Sequence, residues 1–303
     1  MKNNELDKFY TNPKIIFKLI KNVDELIKSS GFGIKVNWIE PSAGSGNFID
    51  VLNKTYTNPS IKAFDISPHG NSNIIKSNFL KLKPKYSKNN VIIGNPPFGK
   101  RANLAIDFVN KSFEWADIVA FILPKQFKRF LTQKQINSKA KLISELKIQE
   151  DSFLVNDRAY NVNCIFQIWV NSKRIEFNHY PNKRIIKAPS TKHKDFKTFI
   201  YNNTDFTKKY FDKKRYKWNY AIPRQGYYDY SKLITNQDEL KSNIQYFFIK
   251  CENEIANEII QKIDFIELSK TNTTTPGFST TDFIKQYNKL KKELNKNNKL
   301  KSN

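Results

Sequence analysis

Between residues 36 and 170, short apolar runs of strand length alternate with stretches whose apolar residues recur at helical spacing. Residues 36–39, 61–64, 91–93, 118–123 and 164–170 are the strand-like runs. Residues 47–52 open one helix, and Ala105, Phe108, Val109 and Phe113 mark the apolar face of another. Strands interleaved with helices predict a mostly parallel, doubly wound α/β sheet. A further helix comes first. Thr11-Asn12-Pro13 supplies a cap and a proline for the first turn, Ile16, Leu19, Ile20, Val23 and Ile27 follow at helical spacing, and Gly31 stops the run.

Two features of this region carry chemistry. Glu40-Pro41-Ser42-Ala43-Gly44-Ser45-Gly46 joins the first strand to a helix, and glycines there let the backbone approach a ligand at a helix start. Such a turn can also be no more than a tight connection. Asp65 ends the next strand, where a Rossmann-like site places an acid on ribose hydroxyls. A dinucleotide site would want a third glycine where Ile49 stands, so the pair points to a nucleoside cofactor other than NAD. Asn95-Pro96-Pro97-Phe98 follows the strand at 91–93 and Gly94. Two prolines fix their own φ angles and present the Asn95 side-chain oxygen and a backbone carbonyl to one small space. Two converging acceptors suit an amine with two hydrogens, and Phe98 offers a face for a planar base.

These motifs, in this order, resemble the N6-adenine DNA methyltransferases of the gamma type over about residues 6–170. Leu6-Asp7-Lys8-Phe9-Tyr10-Thr11-Asn12-Pro13 is similar to their N-terminal cofactor motif, and residues 40–46 to their glycine motif. Asp65-Ile66 matches the acidic motif, and Asn95-Pro96-Pro97-Phe98 the catalytic tetrad. Residues 116–124 are similar to a later strand, and residues 162–170 to the hairpin region. Asn78-Phe79-Leu80 stands where the family usually has Asp-Phe or Asp-Leu; an Asn amide oxygen can still accept from an adenine amine, which implies weaker binding. The resemblance implies a Rossmann-like doubly wound methyltransferase domain with a smaller C-terminal nucleic-acid recognition region. It implies S-adenosylmethionine held by Tyr10, Thr11, Glu40, Gly44, Asp65, Ile66, Asn78 and Phe79. Asn95, Pro96, Pro97 and Phe98 would then hold an adenine flipped out of the helix.

Charge names the partner. Lys+Arg number 52 against 28 Asp+Glu, a net charge of +24. AT-rich codon usage inflates Lys and Asn, but it should raise Asp and Glu too, so the imbalance favours a polyanion. No basic amphipathic anchor for a membrane is evident. Cys164 and Cys251 stand far apart, and His69, His179 and His193 are scattered, so no metal site is expected. Free cysteines, no signal peptide and no long apolar run suggest a cytoplasmic or other reducing compartment.

Beyond residue 175 the periodicity weakens. Lys213, Lys214, Arg215 and Lys217 stand beside Tyr216 and Trp218, and Arg224 and Gln225 precede Gly226-Tyr227-Tyr228. Interleaved cations and aromatics suit a nucleic-acid surface, and equally a folded aromatic cluster ringed by solvated lysines. A second helical pattern lies at 254–263. The expected division is a catalytic domain at 1–175, a recognition region at 176–284 and a Lys-rich tail at 285–303. The partner is expected to be double-stranded DNA, with a separate restriction endonuclease an open question. RNA adenine-N6 methylation and an inactive nucleic-acid-binding subunit stand as alternatives. The Glu145/Lys147 pair reads as a surface patch between helix and strand rather than part of a fused nuclease.

Overall fold

The computed structural model describes residues 10–33, 35–68, 71–148, 152–155, 158–160, 163–272 and 275–301. Leu6 to Phe9, His69 and Val162 of the sequence motifs lie outside the described residues. A two-residue strand, β1 (Tyr10–Thr11), leads into α1 (Pro13–Ser30). The Asn12 side chain caps this helix by accepting from the Lys14 N–H, and Gly31 ends it at φ 70°, a conformation that a residue without Cβ adopts at little cost. Ile16, Leu19, Ile20, Val23 and Ile27 are all buried. Their spacing sets the face that meets the sheet.

There follow β2 (Asn37–Glu40), α2 (Asn47–Thr55), β3 (Ser60–Asp65), β4 (Ile74–Lys76), β5 (Asn90–Gly94), α3 (Asn103–Ser112) and β6 (Ile118–Pro124). A short α4 (Phe130–Gln133) precedes β7 (Ala140–Lys147), β8 (Phe153–Val155), β9 (Arg158–Tyr160) and β10 (Cys164–Asn171). Seven strands form one sheet in the order β4-β3-β2-β5-β6-β10-β7, and β1, β8 and β9 form a small sheet of their own. Neighbours from β4 to β6 are parallel, whereas β10 runs antiparallel to both β6 and β7.

Alternate residues of the central strands pack on opposite faces, as strand geometry requires. Trp38, Val91, Ile93, Ile118, Ala120 and Ile122 join the buried residues of α1 and α2. Ile39, Ile92, Val119, Phe121 and Leu123 join Ala105, Phe108 and Val109 of α3. Helices cover both faces, and the fold is a Rossmann-like, doubly wound α/β fold. Strand order reverses between β2 and β5, the place where open α/β sheets generally bind ligands, beyond the C-terminal ends of the strands. β4 and β7 extend the expected set of strands. Glu145 and Lys147 belong to β7, and Glu145 accepts from Gln167 Nε2 at 2.9 Å and pairs with Lys128 at 2.9 Å.

The chain divides into two compact units, Met1–Ala188 and Pro189–Asn303. The break falls later than the expected residue 175, because the intervening segment is fastened to the first unit. Phe177 is buried in its core. The Arg184 guanidinium donates to the main-chain oxygens of Gln133, Ile136, Asn137 and Ala140.

The second unit contains β11 (Phe196–Tyr201), α5 (Asp205–Lys208), α6 (Lys213–Tyr216), β12 (Tyr220–Pro223), β13 (Tyr246–Cys251), α7 (Glu254–Gln261), α8 (Phe265–Ser269) and α9 (Thr280–Lys301). Its strands form an antiparallel sheet in the order β11-β13-β12. Phe196, Ile222, Phe247 and Ile249 pack against α7, α8 and α9. Residues 285–301, expected as a helix fraying into a Lys-rich tail, are helical within α9, and the correction concerns their packing. Phe283, Ile284 and Tyr287 of α9 are buried, with Leu290 and Leu294 packed behind them. The lysines between them mask an i, i+3, i+4 apolar stripe.

Candidate active site

The parallel strands bring the C-terminal ends of β2, β3 and β5 to one edge of the sheet, and Glu40, Asp65 and Asn95 stand at or just past them. After Glu40 the chain turns through Gly44 at φ 54° and Gly46 at φ 93° before α2 begins. At Gly46 the left-handed φ calls for glycine, and a Cβ there would also have to displace the Asn71 side-chain amide, 2.5 Å away.

Asp65 holds this turn in place. One carboxylate oxygen accepts from the Gly44 N–H at 2.8 Å, and the other from the Ser67 N–H at 2.8 Å. Beside it Ile66 is 68% exposed. Glu40 is in the opposite situation. It is 2% exposed, and its Oε2 has no hydrogen-bond partner among the described residues. Burial, reinforced by the negative charges of Asp65 and Asp50, holds its pKa well above the usual carboxylate range.

Thr11 joins the N-terminal strand to this edge. It is buried; its carbonyl oxygen accepts from Asn47 Nδ2 at 3.1 Å, and its Oγ1 accepts from Asn95 Nδ2 at 3.4 Å. The pairing of β1 with β8 and the Asn12 N–H to Ser152 O bond at 2.9 Å secure it from the other side. The Asn95 carbonyl accepts from Ser42 Oγ at 3.3 Å, so the glycine turn and the tetrad are also linked directly. Ser42, Asn47 and Asn71 were not singled out in the sequence. Only Asn47, at the first position of a helix, carried any signal.

Pro96 is buried, and Pro97 and Phe98 are half-buried. Phe98 packs against the cores on both faces of the sheet. The chain then leaves the corner through Gly99 at φ 65°, Arg101 at φ 56° and Ala102 at φ 64°. Two consecutive non-glycine residues in left-handed conformations are strained, and such strain gathers at functional sites.

The remaining expected cofactor residues are placed differently. Asn78 is exposed, and its Oδ1 accepts from the Leu80 N–H at 3.1 Å. Phe79 is 1% exposed, inside the core against Phe64, Phe108 and Trp115. The structure gives the main chain of Tyr10, paired with Leu154.

In the second unit, α6 is capped by Asp212. Lys214, Arg215 and Lys217 are exposed. Lys213 is turned inward: its Nζ donates to Thr235 O and lies 4.7 Å from the centroid of the Trp218 ring. Trp218 itself is 1% exposed, a core residue. Arg224 is half-buried and Gln225 exposed, and Gln225 bridges to Gly277. Among the described residues no group of His, Cys, Asp or Glu could hold a metal ion, and no helix is long and apolar enough to cross a membrane.

No protein-family model matches this chain, and no curated protein sequence matches it. Several solved structures are similar. A Listeria monocytogenes protein provisionally assigned to the class I S-adenosylmethionine-dependent methyltransferases aligns at 12% identity over 58% of this chain and 64% of its own, with a TM-score of 0.42. A Pyrococcus horikoshii protein provisionally assigned as an RNA methyltransferase aligns at 13% identity over 55% of this chain and 87% of its own, with a TM-score of 0.41. The type IIG restriction endonuclease BpuSI aligns at 14% identity over 64% of this chain and 27% of its own, with a TM-score of 0.38. The strand order, rather than these distant likenesses, sets the fold.

Proposed function

We propose that this chain transfers a methyl group from S-adenosylmethionine to the exocyclic N6 of adenine in DNA. The observation that carries this reading is the convergence of Thr11, Glu40, Asp65 and Asn95 at the point where strand order reverses, with Thr11 bonded to the tetrad and to the helix after the glycine turn. The residues fit the cofactor. A buried carboxylate whose Oε2 lacks a partner suits the ammonium of an amino-acid moiety. Each Asp65 oxygen, holding one N–H, keeps a lone pair for a ribose hydroxyl. The exposed face of Ile66 suits a purine ring. Once bound, the cofactor supplies an electrophilic methyl group on a sulfonium sulfur.

The protein's part is positioning. An adenine amine is a weak nucleophile, because its lone pair is delocalised into the ring. Asn95 Nδ2 donates to Thr11 Oγ1, which places Oδ1 on the opposite edge of the planar amide. Oδ1 and the Pro96 carbonyl would accept from the two N6 hydrogens, favour a tetrahedral nitrogen and aim its lone pair, with no strong base required. Phe98 would stack on the flipped base. The +24 charge and the exposed cations Lys214, Arg215 and Lys217 support a nucleic-acid substrate. Arg224 and Gln225 are suited to guanine and adenine edges.

The test is product analysis. Incubate the protein with methyl-labelled S-adenosylmethionine and duplex DNA, ribosomal RNA or protein, then digest and identify the labelled product. N6-methyladenine from DNA is expected. Label confined to RNA or protein contradicts the proposed substrate, and no label anywhere contradicts the activity.

A further inference from the structure

The C-terminal helix carries a row of charge that the proposed function leaves unused. Lys285, Lys289, Lys292 and Lys296 of α9 are all exposed. Their spacing of four, three and four residues places them within one narrow stripe on the helix surface. The opposite side is fixed. Phe283, Ile284 and Tyr287 are buried in the core of the second unit. Tyr287 Oη donates to buried Asp195 at 2.7 Å, and Lys291 Nζ donates to the same carboxylate. Asn288 Oδ1 lies 3.1 Å from His193 Nε2. The stripe therefore faces outward on a helix that cannot roll.

Among the described residues none of the four lysines makes an ion pair, and Lys285/Lys289 and Lys292/Lys296 are like charges one turn apart. Such pairs destabilise a helix. α1 also exposes Lys14, Lys18, Lys21 and Lys28, and its Lys28 pairs with Asp24 at 2.6 Å; on α9 the exposed Glu293 stands beside the stripe, yet among the described residues it makes no ion pair with any of the four lysines. An anionic partner would relieve the repulsion on α9.

We propose that the Lys285/Lys289/Lys292/Lys296 stripe of α9 is a docking surface for the phosphate backbone of nucleic acid. The inference rests on the nucleic-acid part of the proposed function. Eleven residues of helix span about 16 Å, the axial length of about five phosphates along one strand. A membrane is the poorer fit: surface-bound helices insert their apolar face, and here that face is committed to the protein core. The stripe grips without reading bases, because an ammonium on a flexible stem is a point charge with no fixed pattern of donors.

The experiment compares the whole protein with a Lys285→Gln/Lys289→Gln/Lys292→Gln/Lys296→Gln variant and a Lys14→Gln/Lys18→Gln/Lys21→Gln/Lys28→Gln control of equal charge loss. Binding to a random-sequence DNA duplex and to phosphatidylserine vesicles is measured across a salt series, with thermal unfolding as the check on folding. The α9 variant should keep or raise its unfolding temperature, and its slope of log affinity against log salt should shrink by about 2–4, near 0.9 per lost phosphate contact. The α1 control should change the slope by less than 1. An unchanged slope in the α9 variant overturns the proposal while leaving the proposed activity standing. So does an equal change in the control, or a loss confined to phosphatidylserine vesicles. If wild-type protein shows no salt-dependent DNA binding, the nucleic-acid reading falls first and this inference with it.

Discussion

Glu40 and Asp65 sit at the ends of neighbouring parallel strands, yet their environments differ in kind. Asp65 spends one lone pair of each oxygen on a main-chain N–H, so it braces the glycine turn and keeps lone pairs for the ribose proposed above. The bracing role carried no signal in the sequence, and the two hydrogen bonds leave room for both roles at once. Glu40 is buried with an oxygen that nothing described satisfies, a state that spacing along a chain cannot reveal. Because its folded pKa is raised by burial and by Asp65 and Asp50, the ligand-free fold favours the protonated form. Ionising it costs stability, a cost that begins above the ordinary carboxylate pKa and grows as pH rises toward the folded value. Glu40→Gln removes that cost. The ligand-free variant should therefore unfold at a higher temperature than wild type at neutral pH, with the gain vanishing near pH 4. Calorimetry should also show cofactor affinity about 10-fold or more weaker, since a charge-assisted contact is lost. Equal unfolding temperatures and equal affinity at pH 7 would remove Glu40 from the site.

At the level of elements, the first unit was largely legible, whereas in the second only the helices at 254–261 and toward the C-terminus were. The strands at 91–93 and 118–123 lie inside the observed β5 and β6, because a sheet covered on both faces selects unbroken apolar runs. β4, with one buried residue in three, gives no such run. Phe79 looked like a cofactor contact because of its place in a motif; it lies in the core because Phe64, Phe108 and Trp115 surround it. In the second unit, aromatic residues serve the sheet and its helices, and of the two readings left open for Trp218 its burial selects the folded aromatic cluster. The C-terminal segment read as a helix fraying into a Lys-rich tail, and its lysines hid the apolar stripe that packs it. Since Tyr287 is wholly buried and bonded to Asp195, Tyr287→Ala should destabilise the protein by about 3–5 kcal/mol in denaturant unfolding. A dispensable tail would predict no change.

Across the whole molecule, the proposed chemistry and the proposed grip belong to different compact units, Met1–Ala188 and Pro189–Asn303. The first carries Glu40, Asp65 and the Asn95 corner, and the second carries the exposed cations of α6 and α9. That division was visible in the sequence as a loss of periodicity, although the boundary was misplaced because Arg184 ties residues beyond 175 back to the first unit. It also means that rate and affinity can be separated by mutation. Asn95 is proposed to accept a hydrogen bond that tightens as the amine nitrogen becomes tetrahedral, and an interaction of that kind acts on the rate constant more than on binding. The most direct measurement is single-turnover methyl transfer to DNA by Asn95→Ala, with DNA and cofactor affinities measured separately on the same protein. The account predicts transfer about 100-fold slower or more, with both affinities within a few-fold of wild type. Transfer at the wild-type rate would show that the Asn95 to Phe98 corner is only a turn, and would contradict the central claim.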